Sequence, residues 1–202
     1  MKKKILILDT ETFSINKDGN KKGSNLFKTQ LPFEVAFYDP ATNVGYEYIV
    51  SEYENNIKDN YFVKELKTQK VSDFNSIERK PLKDILSMLE DLSKDCEIWA
   101  YNSLFDEEVL KKAAIKLGVD YKLPKFNDIM VPFNKIARSK DYLEWAKNND
   151  RTYVFNNKIQ PRKAAEDAYN YLLGNNLSNR VIEKHTALED CKYEWEILKR
   201  LI

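Results

Sequence analysis

A chain of 202 residues with 33 Lys and Arg against 32 Asp and Glu is sized for one domain with a real core, and its net charge of +1 excludes a chain-wide basic field. Its charged fraction of 32% and aromatic fraction of 12% exclude a disordered or membrane-embedded chain. Met1-Lys2-Lys3-Lys4 resembles the start of a signal peptide, but the apolar run behind it is too short for an h-region and meets acids at once. A soluble cytoplasmic protein with no bilayer span is expected, with Cys96 and Cys191 as reduced packing residues. Any nucleic-acid contact must then come from local patches.

Ile5-Leu6-Ile7-Leu8 is an apolar run bounded by polar residues, the pattern of a strand buried on both faces of a sheet. It stops at Asp9-Thr10-Glu11-Thr12. If the strand continues, period-2 alternation puts Asp9 and Glu11 on one face at the strand's carboxyl end, where open α/β sheets hold their ligands. Two carboxylates so close raise each other's pKa unless a cation lies between them, which suits Mg²⁺ or Mn²⁺. The alternative is a pair of acids opening a solvated loop.

Residues 13–31 are polar and Lys-rich and read as a loop, in which Lys17, Lys21, Lys22 and Lys28 either line a phosphate path or are solvated. Phe33 to Tyr38 and Val44 to Val50 alternate around Asp39-Pro40-Ala41-Thr42-Asn43, which predicts a hairpin and a mixed sheet. Residues 51–79 are weakly patterned, with a short helix expected around Tyr61 to Lys67. From Pro81, Leu82, Ile85, Leu86, Leu89 and Leu92 recur at helical spacing. Ile98 to Tyr101 is a second buried strand leading into Asn102-Ser103-Leu104-Phe105-Asp106.

Ser103 is the expected N-cap of the next helix, whose stripe Leu110, Ala113, Ala114 and Leu117 ends at Gly118. Asp106 lies on the inward face of its first turn, where a carboxylate is costly unless paired, hydrogen-bonded or bound to metal; the alternative is service to the helix dipole. Residues 138–163 show no clear period, and a helix is expected from Pro161 to Leu173. At the C-terminus Thr186-Ala187-Leu188-Glu189 matches a capping box, followed by a stripe of Leu188, Cys191, Trp195, Leu198 and Ile202. That register places His185, the one histidine of the chain, at N′ and Asp190 at N4. An imidazole and an acid thus hold the positions of a hydrophobic staple.

Asp9-Thr10-Glu11, then Asn102-Ser103-Leu104-Phe105-Asp106, then His185 five residues before Asp190 together resemble the three motifs of the DEDDh (DnaQ-like) 3′→5′ exonucleases, in family order and across nearly the whole chain. The resemblance implies a single exonuclease domain over 1–202 with the ribonuclease H-like fold: an α/β architecture with a mixed five-stranded sheet, Asp9 and Glu11 on its central strand, flanked by helices. It implies Asp9, Glu11, Asp106 and Asp190 as ligands of two Mg²⁺ ions, with Mn²⁺ as a substitute, and His185 as general base. Two ions roughly 4 Å apart stabilise attacking and leaving oxygens of an in-line displacement, and His185 takes a proton from water. The implied reaction is hydrolysis of terminal phosphodiesters of single-stranded DNA to nucleoside 5′-monophosphates. Thr10, Thr12, Phe13, Asn102 and Phe105 match substrate-side positions, while Asp128 matches a structural acid. Phe13 and Ser14 depart from the threonine and glycine that many relatives carry, so Phe13 either stacks on the terminal base or packs in the core.

An RNA-trimming enzyme or oligoribonuclease of the same family is the nearest alternative, separated only by treatment of the 2′-OH. A haloacid dehalogenase-type phosphatase shares the strand ending in acid-x-acid-x-Thr, but has a second aspartate where this chain has Glu11. A catalytically silent binding module needs none of the four acids.

Overall fold

The computed structural model describes residues 3–14, 30–57, 76–182 and 186–202. The apolar opening forms β1 (Lys4–Ser14), which pairs antiparallel with β2 (Gln30–Asp39). β2 turns into β3 (Val44–Val50), as the alternation predicts. The Asp39–Asn43 turn is closed by Asp39 Oδ1, which accepts from the Ala41 amide at 2.8 Å, and Asn43 takes a positive φ of 58°. A helical turn, α1 (Glu54–Ile57), follows. Then come β4 (Glu78–Lys80), α2 (Leu82–Asp95), β5 (Cys96–Ala100), α3 (Ser103–Leu117) and β6 (Phe126–Asp128). The chain continues through α4 (Met130–Ile136), α5 (Lys140–Asn148), β7 (Thr152–Phe155), β8 (Lys158–Pro161), α6 (Ala165–Leu172) and α7 (Ala187–Leu198).

The main sheet is mixed, with the order β4-β3-β2-β1-β5-β6, and helices flank it. It has six strands rather than the expected five. The extra strand, β4, is a charged edge segment parallel to β3, with no apolar pattern to announce it. β1 sits inside the sheet, antiparallel to β2 and parallel to β5.

Alternation sorts the core onto two faces. Leu6 and Leu8 of β1 lie with Leu82, Ile85, Leu86 and Leu89 of α2 and Leu110 and Ala113 of α3. Ile7 lies on the other face with Phe133 of α4, Tyr142 of α5, Ala168 of α6, and Cys191 and Ile197 of α7. Burial of these side chains, worth about 1.5–3 kcal/mol each, clamps β1 from both sides. Cys96 and Cys191 are free, buried, and divided between the two faces. Among the described residues, no helix is long and apolar enough to cross a membrane.

The weakly patterned stretches hold the differences from expectation. β1 runs to Ser14 and β2 begins at Gln30, so the expected 13–31 loop is shorter at both ends. Lys17, Lys21, Lys22 and Lys28, and the helix expected at Tyr61 to Lys67, lie outside the described residues. The helix expected from Pro161 starts at Ala165, because Lys158–Pro161 pairs with Thr152–Phe155 as a hairpin. Residues 140–148, where no period was legible, form α5, capped by Ser139 Oγ accepting from the Tyr142 amide at 3.1 Å.

Candidate metal centre

β1 pairs with β2 from Ile7 to Ser14, whereas its pairing with β5 runs only from Lys4 to Ile7. Beyond that point β5 runs out at Ala100, so Asp9 and Glu11 lie past its carboxyl end, where open α/β sheets hold ligands in a crevice. They are not at the end of β1, as expected, because that strand continues to Ser14 on its pairing with β2. Both acids share the face of Ile7, toward α7. There α7 brings in Asp190, and one carboxylate oxygen from each of Asp9, Glu11 and Asp190 lies within 4.8 Å of the other two.

Thr10 points to the opposite face, and its Oγ1 donates to Asp106 Oδ1 at 2.7 Å. Asp106 is buried in the first turn of α3 and stands beside the three-acid set rather than within it. Thr10 is itself buried, so its hydroxyl orients Asp106 instead of reaching toward a substrate.

The two helix starts are held by acids of the sheet. Ser103 is the first residue of α3, not its cap; exposed Asn102 takes the cap position in a left-handed conformation (φ 60°, ψ 50°) and makes no side-chain cap. Its amide donates to Asp128 Oδ1 at 2.9 Å, which also accepts from Met130 N at 2.8 Å. Asp128 thus has a structural role, as expected. Thr186 caps α7 by position, but the predicted capping box is replaced: Glu34 Oε1 accepts from Ala187 N at 2.7 Å and Glu47 Oε1 from Leu188 N at 3.3 Å. Glu189 instead accepts from Lys192 Nζ at 2.8 Å. Buried Glu34 and half-buried Glu47 of the sheet, rather than the local box, satisfy the helix's orphan amides.

The inward face of α7 also differs from the predicted stripe. Ala187, Asp190, Cys191, Glu194, Ile197 and Leu198 are buried, whereas Leu188 and Trp195 are half-buried and Ile202 is exposed beyond the helix end. The periodicity of large apolar residues ran along the helix shoulder, and two acids turn inward. Glu194 was missed for that reason. Its one signal in the sequence is its place four residues after Asp190, on the same face. Its Oε2 accepts from Tyr101 N at 3.1 Å, fixing the end of β5.

Negative charge accumulates among these acids. Burial pushes Asp9 well above the ordinary carboxyl range, and the charges of Glu194, Asp106, Glu11 and Asp190 push it further. Burial raises Asp106 to about 7, against the Thr10 hydroxyl and backbone amides that pull it down. Glu34 rises by burial and by the charges of Glu47 and Glu11, with the Ala187 amide opposing. Burial and the surrounding acids also raise the Cys191 thiol, which donates to Ala36 O at 3.5 Å and stays a packing group. Among the described residues Asp9, Glu11 and Asp190 are a set of hard oxygen donors in which each anion destabilises the next, and it could hold a divalent metal ion.

Neither a protein-family model nor a curated protein matches this chain.

The remaining expected site residues divide. Phe13 is in the core, with its ring edge-on to Tyr53 at 5.4 Å between centroids, so it packs rather than stacks on a base. The register between β1 and β2 slips by one residue after Glu11, and this turns Phe13 onto the face of Leu6 and Leu8. Thr12 lies half-buried at the slip opposite Pro32, which has no N–H to donate. Phe105 is half-buried and Leu104 beside it in sequence is exposed. His185 lies outside the described residues, immediately before the placed cap Thr186.

Proposed function

We propose that the chain is a metal-dependent 3′→5′ exonuclease of the DEDDh type on a ribonuclease H-like fold, acting on single-stranded DNA ends in the cytoplasm. The observation that carries the reading is the convergence of Asp9, Glu11 and Asp190, from opposite ends of the chain, to within 4.8 Å. Asp106 stands next to them on Thr10. A mixed sheet with the acid-bearing strand inside it supports the fold assignment.

In this reading Asp9, Glu11 and Asp190 hold divalent cations and Asp106 completes the negative charge that balances them. Divalent cations held there would supply Lewis-acid stabilisation of the negative charge that develops in phosphodiester hydrolysis. His185 accepts the proton of the attacking water. The P–O3′ bond breaks, O3′ takes a proton from solvent to become the new 3′-hydroxyl of the shortened strand, and a nucleoside 5′-monophosphate leaves. Thr10 holds Asp106 in one orientation, and Glu34 and Glu47 hold the helix start that carries Asp190.

The test is digestion of 5′-labelled single-stranded DNA and RNA of matched sequence with Mg²⁺, beside EDTA, Asp9→Ala and His185→Ala controls. A ladder that shortens from the 3′ end and vanishes in every control sustains the reading and ranks the two substrates. Intact strands under both Mg²⁺ and Mn²⁺ overturn it.

A further inference from the structure

The hairpin of β7 and β8 stands apart from the main sheet as a two-stranded sheet of its own. Its turn is Asn156-Asn157, both with positive φ (50° and 58°), the tight hairpin turn that asparagine tolerates. The base is fixed at three points. Tyr142 Oη donates to Arg162 O at 2.6 Å, Tyr101 Oη donates to Lys163 O at 2.7 Å, and Arg151 pairs with Asp167 of α6. The tip is exposed: Tyr153 at 47%, Phe155 at 62% and Ile159 at 52%.

The two faces of the hairpin differ. Thr152↔Pro161 and Val154↔Ile159 share the face whose base is buried at Pro161, while Tyr153↔Gln160 and Phe155↔Lys158 share the other. Alternation puts Arg162 on that second face as well. From Arg151 to Ala165 there is no acid, and the stretch has four cations, in a chain whose charges otherwise nearly cancel. Arg151 is engaged with α6 and Lys163 with Asn134, which leaves Lys158 and Arg162 exposed beside the two rings. Tyr101, which anchors the base, follows the last residue of β5 at the edge of the carboxylate crevice.

We infer that the Tyr153–Phe155 face of this hairpin is a platform for single-stranded nucleic acid, on which the rings stack bases while Lys158 and Arg162 meet phosphates. Exposed rings interleaved with cations and free of acids are complementary to a strand that offers π-faces along a polyanion. The platform belongs to the strand upstream of the scissile end, and in that respect it rests on the exonuclease reading.

The experiment compares wild-type protein with Tyr153→Ala/Phe155→Ala and with Lys158→Gln/Arg162→Gln, all exposed positions whose folding is checked by thermal melting. Oligonucleotides of roughly 30 nucleotides are bound in EDTA and followed by fluorescence anisotropy, and fragments of roughly 4 nucleotides are digested with Mg²⁺. The ring variant is expected to lose about tenfold or more in affinity for the long strand, with digestion of the short fragment within about twofold of wild type. The charge variant is expected to flatten the salt dependence of binding by about 1.4 in logarithmic slope. Unchanged long-strand affinity in both variants overturns the platform even if digestion proceeds. So does a change only in sedimenting mass, which would make the face a contact between copies, or loss of binding to another protein alone. Binding that depends on the rings in a protein that digests nothing sustains the platform and removes the exonuclease reading instead.

Discussion

The starts of α3 and α7 deliver acids to one crevice from opposite faces of the sheet, yet they are held in different ways. At α3 a neutral hydroxyl, Thr10 Oγ1, orients Asp106, and a single carboxylate, Asp128, accepts from the amides of Asn102 and Met130. At α7 the amides of Ala187 and Leu188 dock on Glu34 and Glu47. Those acids repel one another and Glu11. The α3 acid is therefore positioned by hydrogen-bond geometry, whereas the α7 acid is positioned by a helix whose anchor is electrostatically loaded. The first arrangement is held by hydrogen bonds alone, whereas the second concentrates negative charge beside Glu11.

Substitutions and solution conditions put this contrast to the test. The largest effect is expected for Asp190→Asn and Asp9→Asn, each removing a group that acts as a unit with the others: turnover falls on the order of a thousandfold or more while the fold survives. Next is pH in metal-free buffer. Native Asp106 keeps its proton up to about 7, whereas the unfolded chain loses it near the ordinary 3.8, so the folded state binds the extra proton across that window. Stability then falls as pH rises through it, by up to about 4 kcal/mol, and levels off above. Asp9 acts in the same direction. Mg²⁺ should raise the melting temperature more at pH 7.5 than at pH 5, which separates charge relief from general stabilisation.

A smaller change is expected at the anchors. Glu34→Ala leaves the buried Ala187 amide without its acceptor and should cost about 1–3 kcal/mol in urea unfolding, with Glu34→Gln recovering part of it. Smallest is Thr10→Val, at about 1 kcal/mol. Its distinctive readout is a titration: the Asp106 carboxyl should move above its wild-type value when the hydroxyl that stabilises its charge is gone.

These particulars also show what a sequence can carry. Asp9 and Glu11 were legible because an apolar run ends on them, and Asp106 because it sits on the apolar stripe of a clearly periodic helix. Asp190 was placed by the start of α7, although the reason for that start was misread: local pattern suggested Thr186 and Glu189, while the acceptors are Glu34 and Glu47, more than a hundred residues away. No local rule reports a cap supplied by a distant strand. Glu194 was hidden by the apolar residues beside it, and Phe13 was left open because a register slip, not period, decides which face it takes. The hairpin at Thr152–Pro161 was illegible because its exposed rings make no hydrophobic alternation against a core.

The central claim is that Asp9, Glu11 and Asp190 form one cation site, and calorimetric titration of Mn²⁺ into the apo protein, wild type against Asp190→Asn, tests it most directly. Saturable binding near neutral pH is expected in the wild type, lost or weakened at least about tenfold in the variant, in line with the loss of one hard oxygen ligand. Equal binding in both proteins, or none in either, would contradict it.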